Sequence, residues 1–182
     1  MANTNKLKVI TGVLSRLSFF HGWEPVSING GPERYSVSVL IPKDDTETVK
    51  AIEEAIDAAI EEGIAKFGGK KPNKSALKLP LRDGDTERDD PAYKGHYFVN
   101  ANSRTAPQIV DRNLNPILDR DEVYSGCYAR VSLTFYAFNS NGNKGVAVGL
   151  GNIQKIKDGT PLGGRSTAKD DFSKVSDDDF LA

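Results

Sequence analysis

The segment Tyr128-Ala129-Arg130-Val131-Ser132-Leu133-Thr134-Phe135-Tyr136-Ala137-Phe138, followed by Asn139-Ser140-Asn141-Gly142-Asn143 and then residues 145–156, reads as a long antiparallel hairpin. Successive side chains of a strand point to opposite faces, so Ala129, Val131, Leu133, Phe135 and Ala137 form a core face. Tyr128, Arg130, Ser132, Thr134, Tyr136 and Phe138 form the other face, with one guanidinium, two hydroxyls and three aromatic rings. Nucleotides need that mixture: rings offer planes for bases to stack on, and a cation or hydroxyl holds phosphate. The competing reading is that the rings cover a second layer such as a helix. In the returning arm Ala147, Gly149 and Gly151 share a face almost without side chains. That face either admits a nucleic-acid backbone or, more commonly, packs tightly against another element. Lys144, in the turn, is within reach of a phosphate, although a turn lysine is usually just solvated.

Upstream, residues 6–20 are rich in Val, Ile, Leu and Phe with Leu7, Val9 and Val13 at period two, predicting one long strand with a bulge or bend at Gly12. Residues 25–32, containing Asn29-Gly30-Gly31, predict a turn or loop. Tyr35, Val37, Val39 and Ile41 alternate with Arg34, Ser36 and Ser38, a half-buried strand that Pro42 ends. A helix follows, capped by Asp44 or Asp45 with Glu47 in capping-box spacing. Val49, Ile52, Ile56, Ile60, Ile64 and Phe67 make its apolar stripe, and Gly68-Gly69 ends it. Glu53, Glu54, Asp57, Glu61 and Glu62 lie mostly on the opposite face, which suits a plug or lid for a barrel and not a reader of DNA. Residues 77–81 predict a short strand and 82–92 an acidic loop. Residues 96–101 predict a strand with Phe98 in the core, and Ile109-Val110 another short one. Beyond Gly159 the chain lacks periodicity, and disorder is expected from about Arg165.

One long helix among several strands leaves nothing to make βαβ crossovers. The economical architecture is mainly β: an OB-fold-like five-stranded Greek-key barrel with one substantial helix and a disordered acidic C-terminal tail. Residues 1–164 are expected to be the domain and residues 165–182 the flexible tail. A chain of 182 residues, 38% hydrophobic and 27% charged, fits one soluble domain. The single cysteine, Cys127, rules out an internal disulfide and suits a reducing compartment. No N-terminal apolar segment and no run near the roughly 20 residues of a membrane span are present. The expected location is therefore cytoplasmic (the host cytoplasm if the protein is viral), with no membrane partner. The net charge of −1 gives no sign of a nucleic-acid partner. From Arg165 onward, Arg165, Lys169 and Lys174 face Asp170, Asp171, Asp177, Asp178 and Asp179, so the remainder is near neutral too, and any DNA-binding surface must be a local patch.

Signatures of catalysis are missing. Gly68-Gly69-Lys70-Lys71 lacks the first glycine and the Ser/Thr of a phosphate loop and reads as a helix C-cap. Two distant histidines and Cys127, a small residue expected to be buried, do not make a zinc site. The stretch Asp83-Gly84-Asp85-Thr86-Glu87-Arg88-Asp89-Asp90 superficially resembles a calcium loop, but Arg88 replaces the required glycine. The expectation is a binding protein, neither an enzyme nor dependent on a cofactor or metal. Two alternatives stand beside it: a metal-dependent DNA nuclease using residues 83–90, and an adaptor without DNA affinity that interacts through its helix and tail. Tyr128, Arg130 and Tyr136 lead the expected DNA contacts, followed by Arg82, Tyr93, Lys94, Tyr97, Arg104 and Lys144. The tail sets Phe180 and Leu181 behind Asp177, Asp178 and Asp179. An apolar anchor beside charge on a disordered arm can dock in a basic-rimmed pocket of a partner, or lie over its own basic groove and compete with phosphates.

Four stretches carry a family resemblance: Leu79-Pro80-Leu81-Arg82-Asp83-Gly84-Asp85, Lys94-Gly95-His96-Tyr97-Phe98-Val99-Asn100-Ala101, Val123-Tyr124-Ser125-Gly126-Cys127-Tyr128 and Asp158-Gly159-Thr160-Pro161-Leu162-Gly163-Gly164. On these the chain resembles the phage replication single-stranded-DNA-binding proteins, a family similar to the T7-type phage DNA-binding proteins. The resemblance implies an OB fold, sequence-independent binding of single-stranded DNA (ssDNA), and an acidic C-terminal tail ending in an aromatic that recruits replication or recombination proteins. It carries no catalytic residues. Here Phe180 stands third from last, followed by Leu181 and Ala182.

Overall fold

The computed structural model describes residues 4–27, 30–162 and 172–176. The tail residues Asp177, Asp178, Asp179 and Phe180 lie outside them. The strands among the described residues are β1 (Lys8–Ile10), β2 (Arg16–Ser27), β3 (Glu33–Pro42), β4 (Arg82–Asp83), β5 (His96–Ser103), β6 (Ile109–Val110), β7 (Tyr128–Ser140) and β8 (Asn143–Lys157). Five of them close a barrel. β2 pairs antiparallel with β3, β3 with β5, and β7 with β8, while β5 joins β8 in parallel at Asn102 and Gly149. β2 returns to β7 through the Arg16–Tyr128 pair, with Leu17 N donating to Cys127 O (3.0 Å) and Ala129 N to Ser15 O (3.0 Å). Closure leaves these strands without the open edges on which sheets aggregate. β1 then lies along β7 and β6 along β8.

The β7–β8 hairpin follows the alternation in its sequence. Ala129, Val131, Leu133, Phe135 and Ala137 are buried in the barrel core, and Tyr128, Arg130, Ser132, Thr134, Tyr136 and Phe138 on the other face are half-buried or exposed. Its turn is Asn141-Gly142, with φ of +52° and +87°. Two positive φ values are what a tight hairpin turn with the right-handed strand twist demands, and Asn-Gly is the pair that tolerates them best. Cys127 is buried, and burial pushes its thiol pKa up.

α1 (Thr46–Glu62) packs Ile52, Ala55, Ile56, Ala59 and Ile60 into the same core and so covers the barrel. Asp45 caps it, accepting from Thr48 N at 3.3 Å and Thr48 Oγ1 at 2.7 Å. The helix ends sooner than its apolar stripe. Gly63 lies so close to β7 that a Cβ there would collide with Ala137. Ile64 and Phe67 therefore sit in a separate 3-10 turn, Ile64–Phe67, which Gly68 closes at φ +91°. No helix among the described residues is long and apolar enough to cross a membrane.

Four further expectations are corrected. Residues 77–81 form no strand, only an isolated bridge from Lys78 to Gly145. Residues 6–20 form a 3-10 turn and two strands in place of one, interrupted by a bend at residues 12–15, where Ser15 N donates to Gly12 O (3.2 Å); both strands run antiparallel to β7, so the chain bends at Gly12 without reversing. β2 runs on through Pro25 to Ser27, so the loop is shorter than the Pro25–Pro32 glycine-rich composition implies. Residues 82–92 are structured: β4, the short helix α2 (Gly84–Glu87) and a 3-10 turn, Pro91–Tyr93. Lys43 organises this stretch, its Nζ lying 2.8 Å from Asp83 and 2.7 Å from Asp85. Those two carboxyls are held below the usual aspartate range, first of all by hydrogen bonding to Lys43.

Candidate nucleic-acid interface

A groove of about 520 Å³ crosses the outer face of β2, β3 and β5. Its wall residues include Phe19, His21, Arg34, Ser36, Ser38, Arg88, Asn100 and Asn102, and no carboxylate among the described residues lines it. β2 shifts register between Ser18 and His21. Within that bulge Phe19 takes a φ of +46° and leaves its ring 55% exposed. A bulky L-residue in the left-handed region is strained, and such residues collect at functional sites. The neighbouring Phe20 turns the other way and packs edge-on to Trp23, with 6.4 Å between ring centroids.

Arg88 covers an aromatic cluster beneath the groove. Its guanidinium lies 5.4 Å from the Phe19 ring centroid, 5.2 Å from Tyr93 and 5.4 Å from Phe98. Tyr93 and Phe98 meet edge to face at 5.1 Å and are buried with Leu40 in a small cluster of their own. The Tyr93 hydroxyl is satisfied by the Ser18 and Ser38 hydroxyls at 3.1 and 3.2 Å. Arg34 Nη1 donates to Asn102 Oδ1 at 2.9 Å, which holds that cation at the groove wall. One side thus combines a half-exposed ring, two guanidiniums, hydroxyls and amides without opposing acid among the described residues, a surface suited to bases and phosphates.

The barrel register carries this surface round to the hairpin. His21 pairs with Ser36, Ser36 with Asn102, Asn102 with Gly149 and Gly149 with Thr134. Tyr136, 42% exposed, is opposite Ala147. At Gly149 an added Cβ would meet only ordinary contacts, at 3.6 Å or more, so the β8 surface is low and open there. Gly151 differs: a Cβ would strike the Ser132 hydroxyl, so its smallness serves packing.

The other sequence-derived positions are distributed around the barrel. Tyr128 lies at the closure seam between Arg16 (5.6 Å) and Lys157 (4.8 Å), away from the Tyr136 end of β7. Arg130 is half-buried, its Nε donating to Thr11 O at 3.0 Å. Arg82 is exposed and pairs with Glu87 at 2.8 Å. Tyr97 is half-buried beneath Lys43, whose Nζ is 5.1 Å from the ring centroid. Lys94 and Arg104 are exposed, and Lys144 is half-buried at the hairpin turn. Tyr93 is fully buried, so both its ring and its hydroxyl are occupied by protein and no face is free for a base. The sequence reading missed Phe19, His21, Arg34 and Arg88 as groove residues. Adjacent Phe19 and Phe20 in one strand were the available signal, since two successive rings cannot both enter the core.

Beyond β8 the chain is tied back to the seam. Arg16 donates to Gly126 O (2.9 Å) and Thr160 O (2.5 Å), Gly159 N donates to the Tyr124 hydroxyl (3.2 Å), and Leu162 N donates to Ser125 O (2.9 Å). Leu162 packs against the Leu40, Tyr93 and Phe98 cluster, beside the rings under Arg88.

The chain matches the family described as "Enterobacter phage Enc34, ssDNA-binding protein" over residues 7–181. A putative protein, p50, of Acyrthosiphon pisum secondary endosymbiont phage 1 is 33% identical over 180 residues, covering 92% of this chain and 95% of that one. The ssDNA-binding protein of bacteriophage Enc34, solved in complex with ssDNA, superposes with a TM-score of 0.73 at 26% identity, covering 86% of this chain and 88% of that one. The ssDNA-binding protein encoded by bacteriophage T7 shares the fold, with a TM-score of 0.56 at 18% identity over 96% of this chain and 98% of that one. The barrel with its one covering helix is thus the OB-like fold of phage ssDNA-binding proteins, and this chain belongs to the Enterobacter phage Enc34 ssDNA-binding protein family.

Proposed function

We propose that this chain binds ssDNA without regard to sequence and coats strands exposed in phage DNA replication or recombination, and that it does so without catalysis. The observation that carries this reading is the groove on β2, β3 and β5, lined by no carboxylate among the described residues, with Phe19 half-exposed for stacking and Arg34 and Arg88 at its sides. It is supported by the family membership and by the likeness to a phage protein solved with ssDNA. In this reading bases stack on Phe19 and phosphates meet Arg34 and Arg88. The strand continues over Gly149 toward Tyr136, with Lys144, Arg104, Lys94 and Tyr97 as outlying contacts. Tyr128, Arg130 and Arg82 contribute where longer DNA reaches the seam and β4. The DNA backbone supplies sequence-independent affinity, and each stacked base adds roughly 1–3 kcal/mol.

Residues 83–90, the segment for a rival nuclease reading, already spend carboxylates on structure: Asp83 and Asp85 on Lys43, Glu87 on Arg82, and Asp90 on capping Ala92 N at 3.0 Å. For residues 165–182 we propose a tail whose Asp177, Asp178, Asp179 and Phe180 recruit a replication or recombination protein and compete with DNA for the groove. The packing of Leu162 beside the rings under Arg88 supports the second role. Host cytoplasm is the corresponding compartment. Fluorescence anisotropy with labelled oligo-dT tests the proposal: saturable binding at low salt is expected, and its absence overturns it.

A further inference from the structure

Resting on the ssDNA-binding reading, we infer that the groove seats one base between Phe19 and Asn100, and that the carboxamide of Asn100 lets this seat take any of the four bases. The outer face of β2, β3 and β5 carries two rows of side chains that run across the strands. In the first row Ser18 pairs with Ser38 and Ser38 with Asn100; in the second His21 pairs with Ser36 and Ser36 with Asn102. Directly paired residues share a face, and two strand spacings place Asn100 roughly 10 Å from Ser18 and the bulge that follows it. The half-exposed ring of Phe19 rises from that bulge and lines the same groove as Asn100. Between them the floor is low, because Ser38 is buried and its hydroxyl accepts from the Tyr93 hydroxyl at 3.2 Å. A ring thus walls the first row on one side and an amide on the other. A base stacked on Phe19 turns its hydrogen-bonding edge toward Asn100.

The two amides of the groove differ in freedom. An arginine has only donors, so Arg34 Nη1, 2.9 Å from Asn102 Oδ1, holds that oxygen toward itself and leaves the Asn102 amide nitrogen as the free group. Asn100 is exposed, and its carboxamide makes no hydrogen bond among the described residues. It can therefore turn either its oxygen or its nitrogen to the groove. Cytosine and adenine offer an amino donor where thymine and guanine offer a carbonyl acceptor, and a rotatable amide meets either. Arg34, Arg88 and His21 are the ionisable side chains of this groove among the described residues, and no carboxylate there imposes an acceptor on the base. A carboxylate at position 100 would do so, accepting from amino groups and opposing carbonyls.

The test is anisotropy of the full chain with labelled oligo-dT and oligo-dC of equal length, read as the ratio of the dT to the dC Kd. The wild-type ratio should lie within about twofold of one. Asn100→Asp should raise it by about fivefold or more, because the carboxylate accepts from the cytosine amino group and opposes the thymine carbonyl. The added charge repels the phosphates of both oligonucleotides alike and cancels in the ratio. Asn102→Asp is the control: its carboxylate stays turned to Arg34, so both oligonucleotides should weaken and the ratio should hold. Asn100→Leu should weaken both by about two- to tenfold. Asn100 is exposed, so melts of its variants should match the wild type. An unchanged ratio in Asn100→Asp, with wild-type binding intact, overturns the inference and leaves the DNA-binding reading standing. A ratio that moves equally in Asn102→Asp also overturns it. A wild-type chain that binds neither oligonucleotide overturns both readings.

Discussion

Replacing Phe19 with glycine should separate DNA binding from folding. The ring is 55% exposed, so its removal forfeits less than half of the roughly 1.5–3 kcal/mol that full burial of such a side chain contributes. At φ +46° an L-residue pays about 1–2 kcal/mol that glycine does not. Glycine in turn adds about 0.5–1 kcal/mol of unfolded-state entropy. These terms nearly cancel, and the melting temperature of the Phe19→Gly chain should stay within a few degrees of the wild type. Arg88 keeps Tyr93 and Phe98 beneath it, so the groove wall survives. Binding should fall, because a base that stacks on Phe19 loses about 1–3 kcal/mol, or roughly 5- to 150-fold in Kd. Phe19→Trp should retain affinity. The assay is anisotropy of labelled oligo-dT alongside thermal melts of the same preparations. An unchanged Kd with an intact fold would remove the groove from the DNA path. A large loss of melting temperature would mean that the ring supports the barrel.

Arg34→Ala and Arg88→Ala should each weaken binding equally for all sequences and lower the slope of log K against log salt by about 0.7, one phosphate contact on a single strand; titrations at several salt concentrations read this. Truncation after Gly164 should tighten ssDNA binding and leave the circular dichroism unchanged, whereas unchanged affinity would leave the tail to partners only. Asp83 and Asp85 are held below the ordinary carboxylate range by Lys43. A lowered folded pKa gives stability that is present above the unfolded value and is lost as pH falls through the folded one. Melts of the wild type should therefore drop below about pH 4, and a Lys43→Met chain should show lower stability at pH 7 and a flatter acid limb.

Where period and turn chemistry agreed, the sequence revealed the fold. The β7–β8 hairpin was readable because apolar residues at period two framed Asn141-Gly142, whose backbone needs positive φ at both positions. Helix α1 was readable from its stripe, but its end was not: contact of Gly63 with Ala137 joins residues 74 apart, and no local pattern reports it. The groove was the least legible part. Phe19 looked like one more apolar residue of a strand, since its exposure comes from a register shift against β3. Arg88 sat among acids that suggested a solvated loop, yet Lys43, distant in sequence, draws those acids aside and leaves Arg88 over the rings. Tyr93 matched the composition of a stacking residue, but two serines from neighbouring strands satisfy its hydroxyl and permit full burial. Near-neutral overall charge concealed a local surface without acids among the described residues.

The most direct measurement is an anisotropy titration of the full chain against oligo-dT, a mixed-sequence single strand of equal length and the matching duplex, at low and moderate salt. The account predicts saturable binding to both single strands with Kd values within a few-fold of each other, weakened by salt and by Phe19→Gly. No binding at low salt, or affinity for one sequence alone, would contradict it.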